Sequence, residues 1–596
     1  MNINFRVDRL RELMKENEID VYIINTSDPH NSEYLADRFK TRQFISGFTG
    51  SAGTAVVTME DAIFWTDGRY FIQAEREIAG SYFKLYKMGI PGYPSYEEWI
   101  GENIREEGRL AFDGQLYSQA EYEKLEKSLK HKSVSLITEK DLIGEIWEDR
   151  PDMPKSKAFI HDLEYTGKST LEKLGEVREL MEEDGVDYYL VSSLDDIAWM
   201  YNIRGRDVIY NPVLISYAIV TRDEAYLFID EEKINPDVRK FLEDANVHVY
   251  PYEEIVEKVK EFNKNTKVFI EKEKINRFIY SNIPEYVKVV SGINYTTILK
   301  AEKNKWEIEN QRKAYIKDGV ALVKFFYWLD KNIDSGEITE MSASKKLLEF
   351  RKEQANFIEP SFETISAYKD NAAMMHYRAD EKSDKLLKRE GLYLLDSGGQ
   401  YLEGTTDTTR TVALGDLTEE EKKDFTLTYK GHTNLITAKF LEGSSGHYLD
   451  VLARIPLWKE GIDYKCGTGH GIGHLLNVHE GPHRIATAPN SVELKEGMIT
   501  SIEPGVYKSG EYGIRLENIV VVEKDVETEF GQFFKFEVLS LVPIDLKAIK
   551  VDMLSDEELN WLNLYHEQVY EKLSPFLNID EKQWLEEKTK KLLKED

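Results

Sequence analysis

A single cysteine, Cys466, in 596 residues rules out an intrachain disulfide and points to a reducing compartment. Long apolar runs are missing as well, and no stretch approaches the length a membrane-spanning helix requires. The opening MNINFRVDRLRELMKENEID carries charge throughout and lacks the apolar stretch of a signal peptide. The closing TKKLLKED has neither a prenylation box nor a lipid-anchor tail. Positive charge is scarce: 78 basic residues face 108 acidic ones, a formal net charge of -30. Such a field repels phosphate backbones and anionic lipid, so no nucleic acid and no membrane is expected as a partner. A soluble cytoplasmic protein is the expectation. The acid excess also suits a cation-holding protein, although surface carboxylates alone would produce it.

What is present suffices for several folded domains. Hydrophobic residues make up 41% and charged ones 31%, an ordinary globular balance, and the length exceeds what one core organises. The first half repeats itself. Arg11-Glu12-Leu13-Met14 recurs as Arg178-Glu179-Leu180-Met181, and Asp20-Val21-Tyr22 recurs at the same offset as Asp187-Tyr188-Tyr189. Further on, AVVTMEDAIFWTD aligns without a gap with AIVTRDEAYLFID. Each copy reads as an amphipathic helix, a buried strand and a two-strand hairpin. Two matches in one order predict duplicated α/β domains over residues 1–153 and 154–303, joined by Asp149-Arg150-Pro151-Asp152-Met153-Pro154. From 304 the pattern changes to an α+β unit. Its first helix spans 303–333, with apolar Ala314, Val320, Val323, Phe326 and Trp328, and a second spans 342–353. Strands are expected over 391–396, 409–414, 497–503 and 513–522, and helices over 417–441 and 448–460. The tail beyond Met553 is helical and amphipathic; it fits a docked helix pair and a dimer contact equally well.

The chemistry sits in this last third. Asp396 ends a strand and Asp407 precedes another, so an antiparallel hairpin would set two carboxylates side by side. Their repulsion would raise both pKa values, a conflict that a cation removes. A solvated loop with two ordinary acids is the commoner meaning of such a pair. His470, in Gly467-Thr468-Gly469-His470-Gly471-Ile472-Gly473-His474, is an imidazole ligand or a plain loop histidine; its glycines would admit close backbone approach to a ligand. His479-Glu480-Gly481-Pro482-His483 spells the zinc motif H-E-x-x-H. That motif needs a helix, and Gly-Pro inside it forbids one. Glu503 closes a strand. Arg515 and Glu517 share a strand face opposite Ile514 and Leu516; Glu517 in such apolar company needs an ion pair with Arg515 or a metal. Four carboxylates and one imidazole suit two divalent ions, and the oxygen-rich set favours manganese over zinc or cobalt.

SEYLADRFKTRQFISGFTGSAGTAVV, FWTDGRYF, DSGGQYLEGTTDTTRT, GTGHGIGHLLNVHEGP, EPGVY, GIRLEN and DEELNWLNLYHEQVYEKL together resemble the pita-bread metallopeptidases, specifically their three-domain cytosolic Xaa-Pro aminopeptidases. The likeness spans nearly the whole chain. It implies two creatinase-like α/β domains before a pita-bread catalytic domain over 304–596 with a helical tail, and a homodimer that takes peptides with proline in the second position. It assigns Asp396 to one metal, Asp407 and Glu517 as bridges, and His470 and Glu503 to the second metal. Glu503 also takes the proton of the attacking water. His376 matches a substrate-binding histidine, His479 one that stabilises the tetrahedral intermediate, and Arg69 an arginine that reaches across the dimer. Cys466 stands where relatives often carry histidine, Ile502 replaces an acid and His474 a small residue; none of these removes a ligand. A prolidase restricted to dipeptides, a catalytically dead peptide-binding module and a creatinase-like hydrolase are the rival readings. The duplicated front half disfavours the first and the complete ligand set the other two.

Overall fold

The computed structural model describes residues 2–594. The chain forms two compact units: one runs to His161 and resumes over Lys168–Thr296, the other comprises Asp162–Gly167 and everything from Thr297 onward.

The first unit contains the repeat, and the side chains explain why those residues recur. Each copy builds a six-stranded sheet. From edge to edge the first runs Phe83–Lys87, Ala62–Thr66, Thr54–Thr58, Val21–Asn25, Arg109–Ala111, Ser135–Ile137. The second runs Val247–Tyr250, Ala225–Ile229, Ser216–Thr221, Tyr188–Val191, Lys267–Ile270, Lys288–Ser291, with the same strand directions. The gapless alignment keeps its register: Ala55 faces Phe64 and Ala218 faces Leu227. Thr58 and Thr221 close the two hairpin turns, each hydroxyl accepting the N–H of residue 61 or 224 at 2.8 and 3.0 Å. Arg11 and Arg178, on the helices Ile3–Glu16 and Thr170–Glu183, donate Nε to the carbonyls of those threonines at 2.9 and 3.0 Å. Asp20 and Asp187 accept the N–H groups of Arg109 and Lys267 at 2.8 and 2.9 Å, pinning the next parallel strand. Met14 and Met181 are buried beneath their sheets.

In the second unit a long helix, Lys305–Asn332, starts at a capping box between Asn304 and Glu307, which satisfies orphan amides of the first turn. Ala314, Val320, Val323 and Phe326 are buried along it, as their spacing predicts, and Trp328 is half-buried. A three-stranded sheet places Leu392–Ser397 between Ile365–Tyr368 and Thr408–Ala413. A six-stranded sheet runs Phe440–Leu441, Gly531–Val538, Asn518–Thr528, Ile499–Ile502, Gly469–Gly471, Glu480–Ile485. The segment Asp162–Gly167 is pinned to this unit: Asn304 donates to the Thr166 carbonyl at 2.8 Å and Asn310 to that of Glu164 at 2.8 Å. The tail helix Asp556–Leu573 buries Leu562, Tyr565, Val569 and Leu573 in the same core.

Two expected elements differ. The strand predicted over 513–522 is two strands, Tyr512–Arg515 and Asn518–Thr528. It breaks because Leu516 N–H turns to the Pro504 carbonyl and Glu517 N–H to that of Thr409. The helix predicted over 417–441 stops at Ile436, and Phe440–Leu441 instead pairs with Phe533 and Phe534.

Candidate metal centre

Asp396 is the penultimate residue of the wholly buried strand Leu392–Ser397, directly opposite Thr409. Asp407 immediately precedes the partner strand. The chain between them forms a small hairpin, Gly399–Tyr401 with Gly404–Thr405. Gly398 is required there: a Cβ would lie 1.9 Å from the Thr406 carbonyl oxygen.

His470 occupies the middle of the strand Gly469–Gly471. Its ring Nδ1 lies 3.0 Å from the Gly471 carbonyl, so Nδ1–H donates there and the ring orientation is fixed. Nε2 faces Asp407 Oδ2 at 3.5 Å and Glu503 Oε1 at 3.4 Å. The flanking glycines are crowded by the neighbouring strands. A Cβ on Gly469 would meet the Ser501 carbonyl at 2.0 Å and one on Gly471 that of Glu480 at 2.1 Å. Glu503 follows the strand Ile499–Ile502; its N–H donates to Thr468 and its Oε1 accepts from Ser501 Oγ at 3.3 Å.

Glu517 sits at the strand break, and Ile514 and Leu516 turn into the core while Arg515 and Glu517 face the cluster. Candidate ligand atoms of Asp407, His470 and Glu517 all lie within 4.8 Å of one another. The expected alternative partner of Glu517 is engaged elsewhere. Arg515 donates Nη2 to Asp396 Oδ2 at 2.5 Å, Nη1 to Tyr507 OH at 2.8 Å and Nε to Thr409 Oγ1 at 3.2 Å. Thr409 in turn donates to Glu517 Oε2 at 2.9 Å.

The electrostatics are unbalanced. Burial, then repulsion from Glu517, Asp396 and Glu503, pushes the Asp407 carboxyl well above its ordinary pKa. Burial and the Glu503 and Asp396 charges do the same to Glu517. Burial, opposed by Arg515, carries Glu503 to about 7. Asp396 Oδ1 is buried with no hydrogen-bond partner. One guanidinium cannot neutralise four carboxylates. Divalent cations fit the set: oxygen donors predominate, one imidazole is poised in the ligating tautomer, and a buried oxygen lacks a donor.

His479 packs its ring 4.3 Å from that of His470 at 86°. Its H-E-x-x-H segment is no helix: Glu480–Ile485 is a strand with a cis Gly481–Pro482 bond. Glu480 pairs with Lys303 and, at 3.6 Å, Lys300, while His483 donates to the Ile499 carbonyl at 2.9 Å. His376 follows the short 3-10 turn Lys369–Ala373, next to Met375, whose carbonyl accepts from Arg515 at 3.4 Å. The Cys466 thiol is pushed up to about 12 by burial and packs near Leu427, Leu457 and Val506, the behaviour of a structural cysteine. His474 reaches the Tyr165 carbonyl at 3.2 Å. Arg69 lies in the first unit, its guanidinium bidentate on Asp67 at 2.8 Å for both contacts. Thr409, Ser501 and Tyr507 are supporting residues that sequence patterning did not single out; alternation from Asp407 is the one signal that would have marked Thr409.

Residues 309–524 match the metallopeptidase family M24, and 532–592 match the C-terminal region of its peptidases. Residues 6–144 and again 149–307 match the creatinase/prolidase N-terminal domain. A probable Xaa-Pro aminopeptidase P of Laccaria bicolor is 40% identical, aligning 98% of this chain with 93% of its own. The chain belongs to the M24 metallopeptidases. Within that family, Xaa-Pro aminopeptidase 1 of Dictyostelium discoideum is 37% identical over 99% of this chain and 97% of its own. The crystal structure of the X-prolyl aminopeptidase from Caenorhabditis elegans, described as a cytosolic enzyme with a di-nuclear active site, superposes with a TM-score of 0.95. It is 35% identical, with 99% of this chain and all of that one covered. A prolidase from Thermococcus sibiricus shares the fold over 64% of this chain, at 23% identity and a TM-score of 0.51. This M24 member therefore has the mixed α/β architecture of two creatinase-like domains and a pita-bread catalytic domain. Among the described residues no helix is long and apolar enough to cross a membrane.

Proposed function

We propose that this enzyme, a metal-dependent aminopeptidase, hydrolyses the bond between an N-terminal residue and a following proline. The observation that carries the reading is the convergence of Asp407, His470 and Glu517 within 4.8 Å, inside a family of Xaa-Pro aminopeptidases. Asp396, Asp407, His470, Glu503 and Glu517 would together hold a pair of divalent ions, and the oxygen-rich donors favour manganese. Divalent ions held there supply polarisation of a carbonyl and acidification of a water.

The chain's own groups do the rest. Glu503 takes the proton that the attacking water releases. His479, beside His470, donates to the oxygen on which negative charge develops at the scissile carbonyl. His376 contacts the substrate from the loop whose Met375 carbonyl Arg515 holds. Nδ1–H of His470 donates to Gly471, which orients the ring so that Nε2 faces the carboxylates. Arg515 orients Asp396 through one nitrogen and Tyr507 through another. A homodimer in the cytoplasm, with Arg69 reaching the partner's site, completes the reading.

The test is hydrolysis of Arg-Pro-Pro and of Gly-Pro by chelated protein with and without added manganese. Manganese-dependent release of arginine from the tripeptide is expected. Cleavage of the dipeptide alone would make the protein a prolidase, and full activity after exhaustive chelation would end the metal reading.

A further inference from the structure

The second unit carries a buried charged network that no step above uses. Arg351, on the helix Glu340–Lys352, donates Nε and Nη2 to the two oxygens of Asp318 at 2.8 and 3.0 Å. The same Nη2 donates to Ser397 Oγ at 3.1 Å, and Tyr401 OH donates to Asp318 Oδ1 at 2.9 Å. Arg351, Asp318, Ser397 and Tyr401 are all at most 1% exposed. A buried ion pair is weak evidence of stabilisation, because well-packed apolar groups often do as well. Its position is more informative. Ser397 follows Asp396 and pairs across the sheet with Thr408, which follows Asp407. Tyr401 lies in the hairpin between the two aspartates. The network thus grips the turn at Ser397, one residue from Asp396 and opposite Thr408, and at Tyr401, and ties it to two helices, through Asp318 on Lys305–Asn332 and Arg351 on Glu340–Lys352.

We propose that Arg351, acting through Ser397 with Asp318 as its anchor, is a positioning residue that fixes the spacing of Asp396 and Asp407 for divalent-cation binding. The inference rests on the reading of those aspartates as ligands. Removing outer partners of metal ligands typically weakens metal binding about 10–100-fold.

Ser397→Ala deletes the Arg351 contact to the turn and leaves the ion pair and the Tyr401–Asp318 bond intact. Asp318→Leu combined with Arg351→Met replaces the pair by apolar groups of similar size. For each, manganese affinity is measured on the chelated full chain by calorimetric titration, and the melting temperature of the metal-free protein is recorded alongside. The expected result for Ser397→Ala is an affinity loss of about tenfold or more, a melting temperature equal to that of the parent, and tripeptide kcat recovered at saturating manganese. The paired variant is expected to lose affinity likewise; if it does not fold, Ser397→Ala alone decides. Unchanged affinity in Ser397→Ala, or a loss that merely tracks a lower melting temperature, would overturn the inference. Failure of the parent protein itself to bind manganese would instead strike the underlying assignment of the ligands.

Discussion

Glu517 shows how far a single residue could be read from sequence. An acid in an apolar strand demanded a partner, and it lies beside Asp407 and His470. Sequence alone left Arg515 as its rival partner, because alternation puts both side chains on one face. It could not reveal that Arg515 reaches past Glu517 to Asp396 and Tyr507, since that depends on where other strands bring their atoms. Asp407→Ala and Glu517→Ala are each expected to abolish peptide cleavage and lower the metal content found by elemental analysis; a fully loaded, active variant would refute their role. His479→Ala is expected to cut kcat by about 100-fold, the usual cost of losing one donor to a developing oxyanion, with metal content unchanged. Metal loss in that variant would make His479 a ligand or a ligand's support.

Elements were legible where local pattern and tertiary contact agree. Arg11 and Arg178 recur because each ties its helix to the same hairpin turn, and Asp20 and Asp187 because each pins the next strand. The break between Arg515 and Asn518 left no local trace, because the carbonyls that capture Leu516 and Glu517 come from residues distant in sequence. The glycines beside His470 were visible, but the crowding of neighbouring strands against them was not. Gly471→Ala should therefore act as overpacking. Its Cβ meets the Glu480 carbonyl, and a destabilisation of about 1–3 kcal/mol is expected, read as a lower unfolding midpoint in the metal-free protein. A variant as stable as the parent would show that the strands yield freely.

Both units carry titratable groups that burial holds in the neutral form. In the catalytic unit, burial carries His432 and His566 down to about 3. His432 lies against Trp561 with neither ring nitrogen hydrogen-bonded. Such a group leaves stability intact above the ordinary histidine value of 6.5 and erodes it as pH falls toward 3, by up to about 1.4 kcal/mol per pH unit. His432→Leu should thus flatten the decline of the unfolding midpoint between pH 6.5 and 4. An unchanged slope would show that this imidazole finds a proton partner. In the first unit, burial raises Glu271 to about 7. Its stabilising contribution is full below 4.5 and fades as pH rises through 7. Glu271→Gln should accordingly raise the thermal midpoint of that unit at pH 8 and leave it unaltered at pH 4; a drop at pH 8 would contradict the sign.

The route of the backbone has its own consequence. Because Thr166 and Asn304 are hydrogen-bonded to each other, the stretch Lys168–Thr296 leaves the catalytic unit and returns to the same spot. It is a closed excursion with adjacent doorposts. A gene could exchange that stretch with a splice of a few residues only by also refitting residues 1–161, which bond to it through His30 with Ser192 and Pro29 with Asn276.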